Sequence, residues 1–256
     1  MIDLHESLRF DEVLQNVLLS EHARSGIGTL GERTLHAVLK RNFEPDTEHH
    51  EIKVGRYVAD ILRGDEITEI QTRSFRSLRP KLLAYRGNYR VNVGYPIART
   101  KYLSWVDPDT GEVGGRRRSP KAGKPWDVLY ELYALRPILP LEGVRFTLIF
   151  CDMDEYRLQN GWGRDKKHGA SRFERVPTAL CDILTLEKPE DFAALLPETL
   201  GERFTTAEFA KAAKMTRTTA GYGIRTLETL GVIEKTDKIK NAYIYTRIPR
   251  RKEESK

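Results

Sequence analysis

The spacing of apolar residues changes near Pro45, and that change predicts the first part of the fold. The segment TLGERTLHAVLKRNF carries Leu35, Leu39 and Phe43 at four-residue spacing, which predicts an amphipathic helix. Beyond Pro45 the period is two, and HHEIKV, RYVADILR and EITEIQTRS are typical of three successive strands. SLRPKLLAYRGNY then predicts a helix and RVNVGYPI a fourth strand. The predicted order is therefore helix, three strands, helix, strand.

Later segments predict additional elements and a second domain. KYLSWVDPDTGEV predicts a hairpin, the segment from Trp126 to Leu135 a helix, and VRFTLIFC a buried strand. Prolines separate short helical pieces in EKPEDFAALLPETLGERF, and the pattern changes after it. We therefore predict an α/β fold with a boundary at about residue 188, which gives domains 1–188 and 189–256.

Two carboxylates face each other in the hairpin predicted between Tyr57 and Thr72. Gly64–Asp65 suits a type II′ turn, because its first position requires a positive φ. That turn sets Asp60 opposite Glu69, with Cβ atoms ~4.5–5.5 Å apart, and like charges so placed destabilise a ladder. Four explanations stay open: a solvated face, one protonated carboxyl, a bridging arginine, or a hard cation such as Mg²⁺ or Mn²⁺.

Glu32 is a third candidate carboxylate, because helical spacing puts it on the inward face with Leu35 and Leu39. Burial of an unpaired charge is costly. Glu32 therefore either takes part in a site, or lies solvated in the first helical turn, where the helix N-terminus stabilises it.

The order of Glu32, Asp60 and Glu69-Ile70-Gln71 on these elements resembles the PD-(D/E)XK nuclease superfamily over about residues 28–97. The resemblance implies a restriction-endonuclease-like core of helix, three strands, helix and strand. It implies that Asp60 and Glu69 ligate Mg²⁺ or Mn²⁺, and that Glu32 holds a metal-bound water or a second ion. The reaction it implies is metal-assisted hydrolysis of a DNA phosphodiester.

One position departs from the family pattern. Gln71 stands where lysine is usual, although some restriction enzymes of the superfamily carry Glu or Gln there. A glutamine orients water but supplies no positive charge. Lys81 and Tyr85 have the spacing of the Gln-x-x-x-Tyr motif of RecB-like nucleases, so Lys81 either compensates or is a solvated helix lysine. A non-catalytic DNA-binding regulator on the same fold is therefore the alternative to a nuclease.

Positive charge is clustered along the chain. The net charge is +6, from 43 basic and 37 acidic residues. One basic stretch runs from Arg164 to Arg175, and another runs from Arg217 to the C-terminus. Such clusters are typical of proteins that bind a phosphate backbone, and a scaffold for an acidic protein partner would share them. A further cluster, called the basic loop below, contains no acidic residue. Its cations are Arg116, Arg117, Arg118, Lys121 and Lys124.

The C-terminal segment predicts two helices and a hairpin. Thr205 or Thr206 suits a helix N-cap with Glu208 in the first turn, and Gly231 suits the end of the second helix. VIEKTDK and AYIYTRI then predict two strands. This order resembles a winged helix-turn-helix domain over about residues 190–250, which implies DNA contacts by the second helix and the wing. The implied DNA-binding residues are Arg217, Thr218, Thr219, Tyr222, Arg225, Lys238 and Lys240, with pairing of Arg225 to Glu228 or Glu234 left open.

Composition bears on the location of the protein. Cys151 and Cys181 have no metal-ligand spacing, and two reduced thiols suit a cytoplasmic protein. No apolar run approaches the ~20 residues of a membrane span, and the N-terminus does not resemble a signal peptide. We expect DNA as the partner, with no membrane association. Double-strand cutters of this kind often act as dimers, so a homodimer stays open.

Overall fold

The computed structural model describes residues 2–24, 33–161 and 169–249. The chain divides into two compact units, each built from three segments. The first contains Met1–Thr72, Asn92–Lys124 and Thr147–Leu184, and the second Arg73–Val91, Pro125–Phe146 and Thr185–Lys256. The predicted domains, 1–188 and 189–256, are each continuous, and that division stays a prediction.

The elements are mixed along the chain. The helices are α1 (Leu4–Arg24), α2 (Arg33–Phe43), α3 (Arg79–Tyr85), α4 (Leu129–Leu135), α5 (Thr206–Ala212) and α6 (Arg217–Thr229), with short 3-10 helices at Thr47–His49, Phe75–Leu78, Pro125–Val128, Arg136–Ile138 and Pro189–Leu195. The strands are β1 (His50–Val54), β2 (Tyr57–Arg63), β3 (Glu66–Ile70), β4 (Arg90–Val106), β5 (Arg117–Arg118), β6 (Val144–Leu158), β7 (Ser171–Leu186), β8 (Arg203–Thr205), β9 (Ile233–Ile239) and β10 (Ala242–Arg247).

Seven strands form the large sheet. Its order is β1-β2-β3-β4-β6-β7, and β5 pairs with β4. Strands β4, β6 and β7 are long, with 17, 15 and 16 residues. Tyr102 and Leu103 of β4 pair with Arg118 and Arg117 of β5. Part of the predicted basic loop is therefore fixed to the sheet by strand pairing.

Helices α1 and α2 supply apolar side chains to the core of the first unit. Leu35, Val38 and Leu39 of α2 are fully buried, because helical spacing puts them on one face. They belong to one cluster with Phe10 of α1, Ile70 of β3 and buried residues of β6 and β7. Burial of this surface, at about 25 cal/mol per Å² of apolar area, holds α2 against the end of β3.

The second unit contains two helices joined by a tight turn and a three-stranded sheet of order β8-β10-β9. Thr205 accepts a hydrogen bond from the Glu208 N–H at 3.2 Å, and the Glu208 carboxylate accepts one from the Thr205 N–H at 2.7 Å. This capping box starts α5 as predicted. Thr216 caps α6, and Gly231, at a φ of +70°, follows its end.

The prediction of an α/β fold is confirmed, since the protein is mixed α/β with a large sheet and several helices. From α2 to β4 the elements follow the predicted order. Two strand extents were wrong: RVNVGYPI and KYLSWV form one strand, β4, and VRFTLIFC continues to Leu158. Strand β7 was not predicted, because polar residues interrupt its apolar ones and only part of it is buried.

Within the described residues, no helix combines the length and the apolar content that crossing a membrane requires.

Candidate metal centre and nucleic-acid interface

Strands β2 and β3 form the hairpin that carries the two facing carboxylates. Gly64 has a φ of +59°, as the first position of a type II′ turn requires. Three of the predicted pairs are confirmed, and the pairing of Asp60 with Glu69, one residue further along the same register, stays a prediction. The Cα pairs are Arg63 with Glu66, Leu62 with Ile67, and Ile61 with Thr68.

Asp60 is oriented by two neighbouring groups. Its Oδ2 accepts a hydrogen bond from the backbone N–H of Ile70 at 2.7 Å. The same oxygen lies 3.2 Å from Nε2 of His36. The Asp60 side chain is 16% exposed, and Glu69 is 2% exposed. Because both carboxylates are so little exposed, the negative charge of each must be compensated by hydrogen bonds, a proton or a cation.

Helix α2 presents one polar side chain to β2 and one to β1. His36 and Lys40 are four residues apart, so they share one side of the helix. His36 contacts Asp60, and Lys40 forms an ion pair with Glu51 of β1. His36 was not among the predicted site residues. The sequence offered one signal that His36 belongs to the site. It directly follows Leu35 of the apolar stripe and precedes Lys40 by one helical turn.

The other predicted catalytic residues lie in three different places. Gln71 directly follows β3, is partly buried, and donates its backbone N–H to the Gly94 carbonyl at 2.9 Å. Lys81 lies on α3, in the second unit. Glu32 lies outside the described residues. The hairpin therefore carries Asp60 and Glu69, Gln71 follows it directly, and His36 of α2 contacts Asp60.

The predicted basic loop is exposed, and aromatic residues of β4 organise part of it. The Arg116 guanidinium lies 3.4 Å from the centroid of the Tyr102 ring, and that of Arg117 lies 5.1 Å from the Trp105 ring. Arg116 also donates to Asp154 at 2.8 Å. These stacked arginines present guanidinium groups on a defined surface. The exposed cations of the loop are Arg116, Arg117, Arg118, Lys121 and Lys124.

A pocket of about 310 Å³ lies at this loop, and Arg99, Arg118 and Lys121 are among its lining residues. Gly123 fixes the loop, because its N–H donates to the Ala98 carbonyl at 2.8 Å. A Cβ at position 123 would lie 2.7 Å from that carbonyl oxygen, so only glycine fits without a shift. Three cations around one small pocket suit an anionic oxygen group such as a phosphate.

The predicted basic stretch Arg164–Arg175 is described in part, because residues 162–168 lie outside the described residues. Arg175 is only 9% exposed, and its Nη2 donates to the Thr72 carbonyl at 2.7 Å. The expectation that Arg175 grips a DNA backbone was wrong, because its guanidinium is used inside the first unit.

Glu155 is a buried carboxylate that the sequence patterns did not reveal. It is 1% exposed and lies 2.6 Å from Arg157, 3.2 Å from Lys101 and 3.7 Å from Arg172. Burial raises the pKa of Glu155, but these three cations together outweigh burial and hold its pKa below the usual range. The group links β4, β6 and β7.

The predicted DNA-contacting residues of α6 differ in their exposure. Arg217, Thr218 and Arg225 are exposed, as are Lys238 and Lys240 at the β9–β10 hairpin. Thr219 and Tyr222, which the winged-helix resemblance also implies as DNA-binding residues, are partly buried. Thr219 hydrogen-bonds to Thr216 at the helix cap.

Tyr222 is partly buried because α4 packs against α6 at this position. The ring centroids of Tyr222 and Tyr133 of α4 are 4.5 Å apart. At Gly223, a Cβ would lie 3.3 Å from Leu129 and 3.1 Å from Phe209, so glycine permits this close approach. Arg225 reaches the Tyr133 hydroxyl at 3.5 Å. Its predicted alternative partners were Glu228 and Glu234.

The fold and the site define a mixed α/β protein with two carboxylates on a hairpin, clustered cations and two C-terminal helices joined by a tight turn. The model of the family described as "Domain of unknown function (DUF8091)" matches residues 33–187, more than half of the chain, and the protein belongs to that family. The matched region contains the hairpin, His36 and the basic loop.

An uncharacterized protein of Treponema pallidum (strain Nichols) is similar to this chain. The two are 26% identical over 167 residues, which is 65% of this chain and 64% of the relative. The chain thus matches just under two thirds of that relative's length. No solved structure matches this chain significantly.

Proposed function

We propose that this protein is a metal-dependent DNA nuclease with a PD-(D/E)XK-like core and a C-terminal winged helix-turn-helix segment that binds DNA. The observation that carries the proposal is the register of the β2–β3 hairpin. Continued by one residue beyond its three observed pairs, that register would put Asp60 across from the nearly buried Glu69. The order of elements from α2 to β4 supports it. The exposed cations of the basic loop, in the same unit, support DNA as the substrate.

The residues present fit a hard divalent cation. Within the described ranges, no group of three or more His, Cys, Asp or Glu residues is arranged to hold a metal. Mg²⁺ nevertheless commonly uses only one or two protein carboxylates, together with waters and substrate phosphate. Asp60 and Glu69 would hold the ion. When bound, Mg²⁺ or Mn²⁺ would supply charge stabilisation to the phosphate and acidity to a water.

The chain's own groups would perform the remaining tasks. His36 and the Ile70 N–H fix the direction of the Asp60 carboxylate. Gln71, directly after β3, would orient a water through its side-chain amide. Arg99, Arg118 and Lys121 around the small pocket would bind a backbone phosphate. In the C-terminal segment, Arg217 and Arg225 of α6 and the wing lysines would position the duplex.

A second candidate function is DNA binding without cleavage. Gln71 favours it, because glutamine cannot supply the positive charge that lysine gives to this position in related enzymes. The exposed Arg217, Arg225, Lys238 and Lys240 would serve either function.

DNA cleavage separates the two candidates. We would incubate supercoiled and end-labelled linear DNA with the protein and Mg²⁺ or Mn²⁺. The test variant is Asp60→Asn/Glu69→Gln, which removes both charges at constant side-chain size. Its matched control is Asp65→Asn/Glu66→Gln, which makes the same charge change at the turn of the same hairpin. The nuclease proposal expects cleavage by wild type and control, and a loss of at least ~100-fold in the test variant.

Equal cleavage by wild type and test variant would assign the activity to a contaminant or another site, and the proposal would fail. Absence of cleavage by wild type with either metal would also refute it. If the wild type then binds DNA without cleaving it, and its affinity falls with increasing salt, the DNA-binding candidate is supported.

A further inference from the structure

A cleft of about 770 Å³ opens in the second unit, and its lining residues come from three segments of the chain. Tyr130 and Tyr133 belong to α4, Tyr222 to α6, and Arg79 to the start of α3. The volume falls within the range of about 300–1,000 Å³ that is typical of small-molecule sites. Neither the carboxylate hairpin nor the basic loop contributes to it.

Three tyrosines form an aromatic wall in this cleft. The rings of Tyr133 and Tyr222 have centroids 4.5 Å apart and are inclined by 32°. Tyr130 lies 6.0 Å from Tyr222, and its side chain is 55% exposed. Tyr222 supports both other rings, and the exposed Tyr130 offers a flat face on which a planar ring can stack.

Three arginines give the cleft positive charge. Arg76, Arg79 and Arg136 are all exposed, and they line the cleft beside one carboxylate, Glu131. The Arg136 guanidinium lies 5.9 Å from the Tyr133 ring centroid. An arginine guanidinium can form bidentate hydrogen bonds with phosphate oxygens. Three arginines in one cleft therefore suit a phosphate ligand.

The carboxylate of Glu131 is already used within the unit. Its Oε2 accepts the Phe75 N–H at 3.0 Å, at the first turn of a 3-10 helix. Burial raises the pKa of Glu131, opposed by its hydrogen bonds with Phe75 and Ser74. The arginines therefore dominate the charge of the cleft.

We propose that this cleft binds a nucleotide unit, with the base stacked on the tyrosine wall and the phosphate held by the arginines. The same chemistry is offered by a free nucleotide and by one residue of a single-stranded DNA. The inference does not depend on the proposed nuclease activity, because every residue it uses lies in the second unit.

The test is direct binding by calorimetry to the full chain without metal, using ATP and dTMP in one arm and a short oligo(dT) strand in the other. The test variants are Tyr130→Leu, which removes the exposed ring, and Arg79→Ala. The matched controls are Tyr130→Phe, which keeps the ring, and Arg86→Ala, an exposed arginine of the same unit that does not line the cleft. Circular dichroism checks that each variant is folded.

The proposal expects saturable binding that each test variant weakens by about tenfold or more, with each control within about twofold of wild type. Tighter binding of a mononucleotide identifies the free nucleotide as the ligand, and binding of oligo(dT) alone identifies a single strand. Absence of saturable binding for all three probes overturns the proposal. Binding that survives in both test variants also overturns it.

Discussion

Glu155 offers a quantitative test of the charge arrangement inside the first unit. The substitution Glu155→Gln keeps the size of a side chain that is 1% exposed and removes its charge beside Lys101, Arg157 and Arg172. A hydrogen bond to a charged group contributes about 1.5–3 kcal/mol to stability. The three cations are 21%, 36% and 48% exposed, so they regain hydration when the carboxylate is lost.

We therefore expect Glu155→Gln to lower the free energy of unfolding by about 2 kcal/mol near pH 7, which corresponds to a fall in Tm of roughly 4–8 °C for a chain of this length. Differential scanning calorimetry measures the change. Glu112→Gln is the matched control, because Glu112 is exposed in the turn after β4, and we expect its Tm to stay close to wild type.

The same variant has a defined pH dependence. Because the pKa of Glu155 is lowered in the folded state, its stabilising contribution is present above the unfolded pKa of about 4.3 and is lost as the pH falls through the folded value. The gap in Tm between wild type and Glu155→Gln should therefore be constant near pH 7 and narrow below about pH 4. No gap at pH 7, or a gap that widens on acidification, would show that the Glu155 carboxylate does not stabilise the fold through these three cations.

Three further predictions concern single positions. Gly123→Ala should weaken DNA binding by several-fold in a fluorescence anisotropy titration, because the new Cβ meets the Ala98 carbonyl and displaces the basic loop; unchanged affinity would contradict a role for that loop. Thr205→Ala should lower the free energy of unfolding by about 1 kcal/mol in denaturant titration, because the capping box with Glu208 is broken; an unaltered midpoint would show that the cap is dispensable. Cys151 should resist alkylation by iodoacetamide at pH 7.5 in the folded protein, because burial raises the pKa of its thiol; mass spectrometry that detects rapid labelling would contradict its burial.

Local signals were sufficient for much of the fold. The glycine of the β2–β3 turn fixed the register of its hairpin, and the apolar stripe of α2 identified the buried face. The N-cap of α5 and the glycine that follows α6 were readable because each depends on residues within one helical turn. Such features need only a few neighbouring residues, which is why spacing along the chain predicts them.

Features that depend on distant parts of the chain were not predictable in this way. His36 lies beside Asp60, which is 24 residues away in sequence. Tyr222 has a helical spacing that suits an exposed face, and only the packing of α4 against α6 covers it. In the sequence, Arg175 lies in a basic stretch that predicts solvent exposure. In the structure, β7 places its guanidinium against the Thr72 carbonyl, 103 residues away. The residues missed are therefore those whose partners come from distant segments.

If Asp60 and Glu69 together hold a divalent metal ion, calorimetric titration of the protein with Mn²⁺ will detect it. We expect saturable binding to wild type and to Asp65→Asn/Glu66→Gln, and an affinity lower by more than about tenfold in Asp60→Asn/Glu69→Gln. Equal Mn²⁺ affinity in the wild type and the Asp60→Asn/Glu69→Gln variant, or no binding to the wild type, would contradict it.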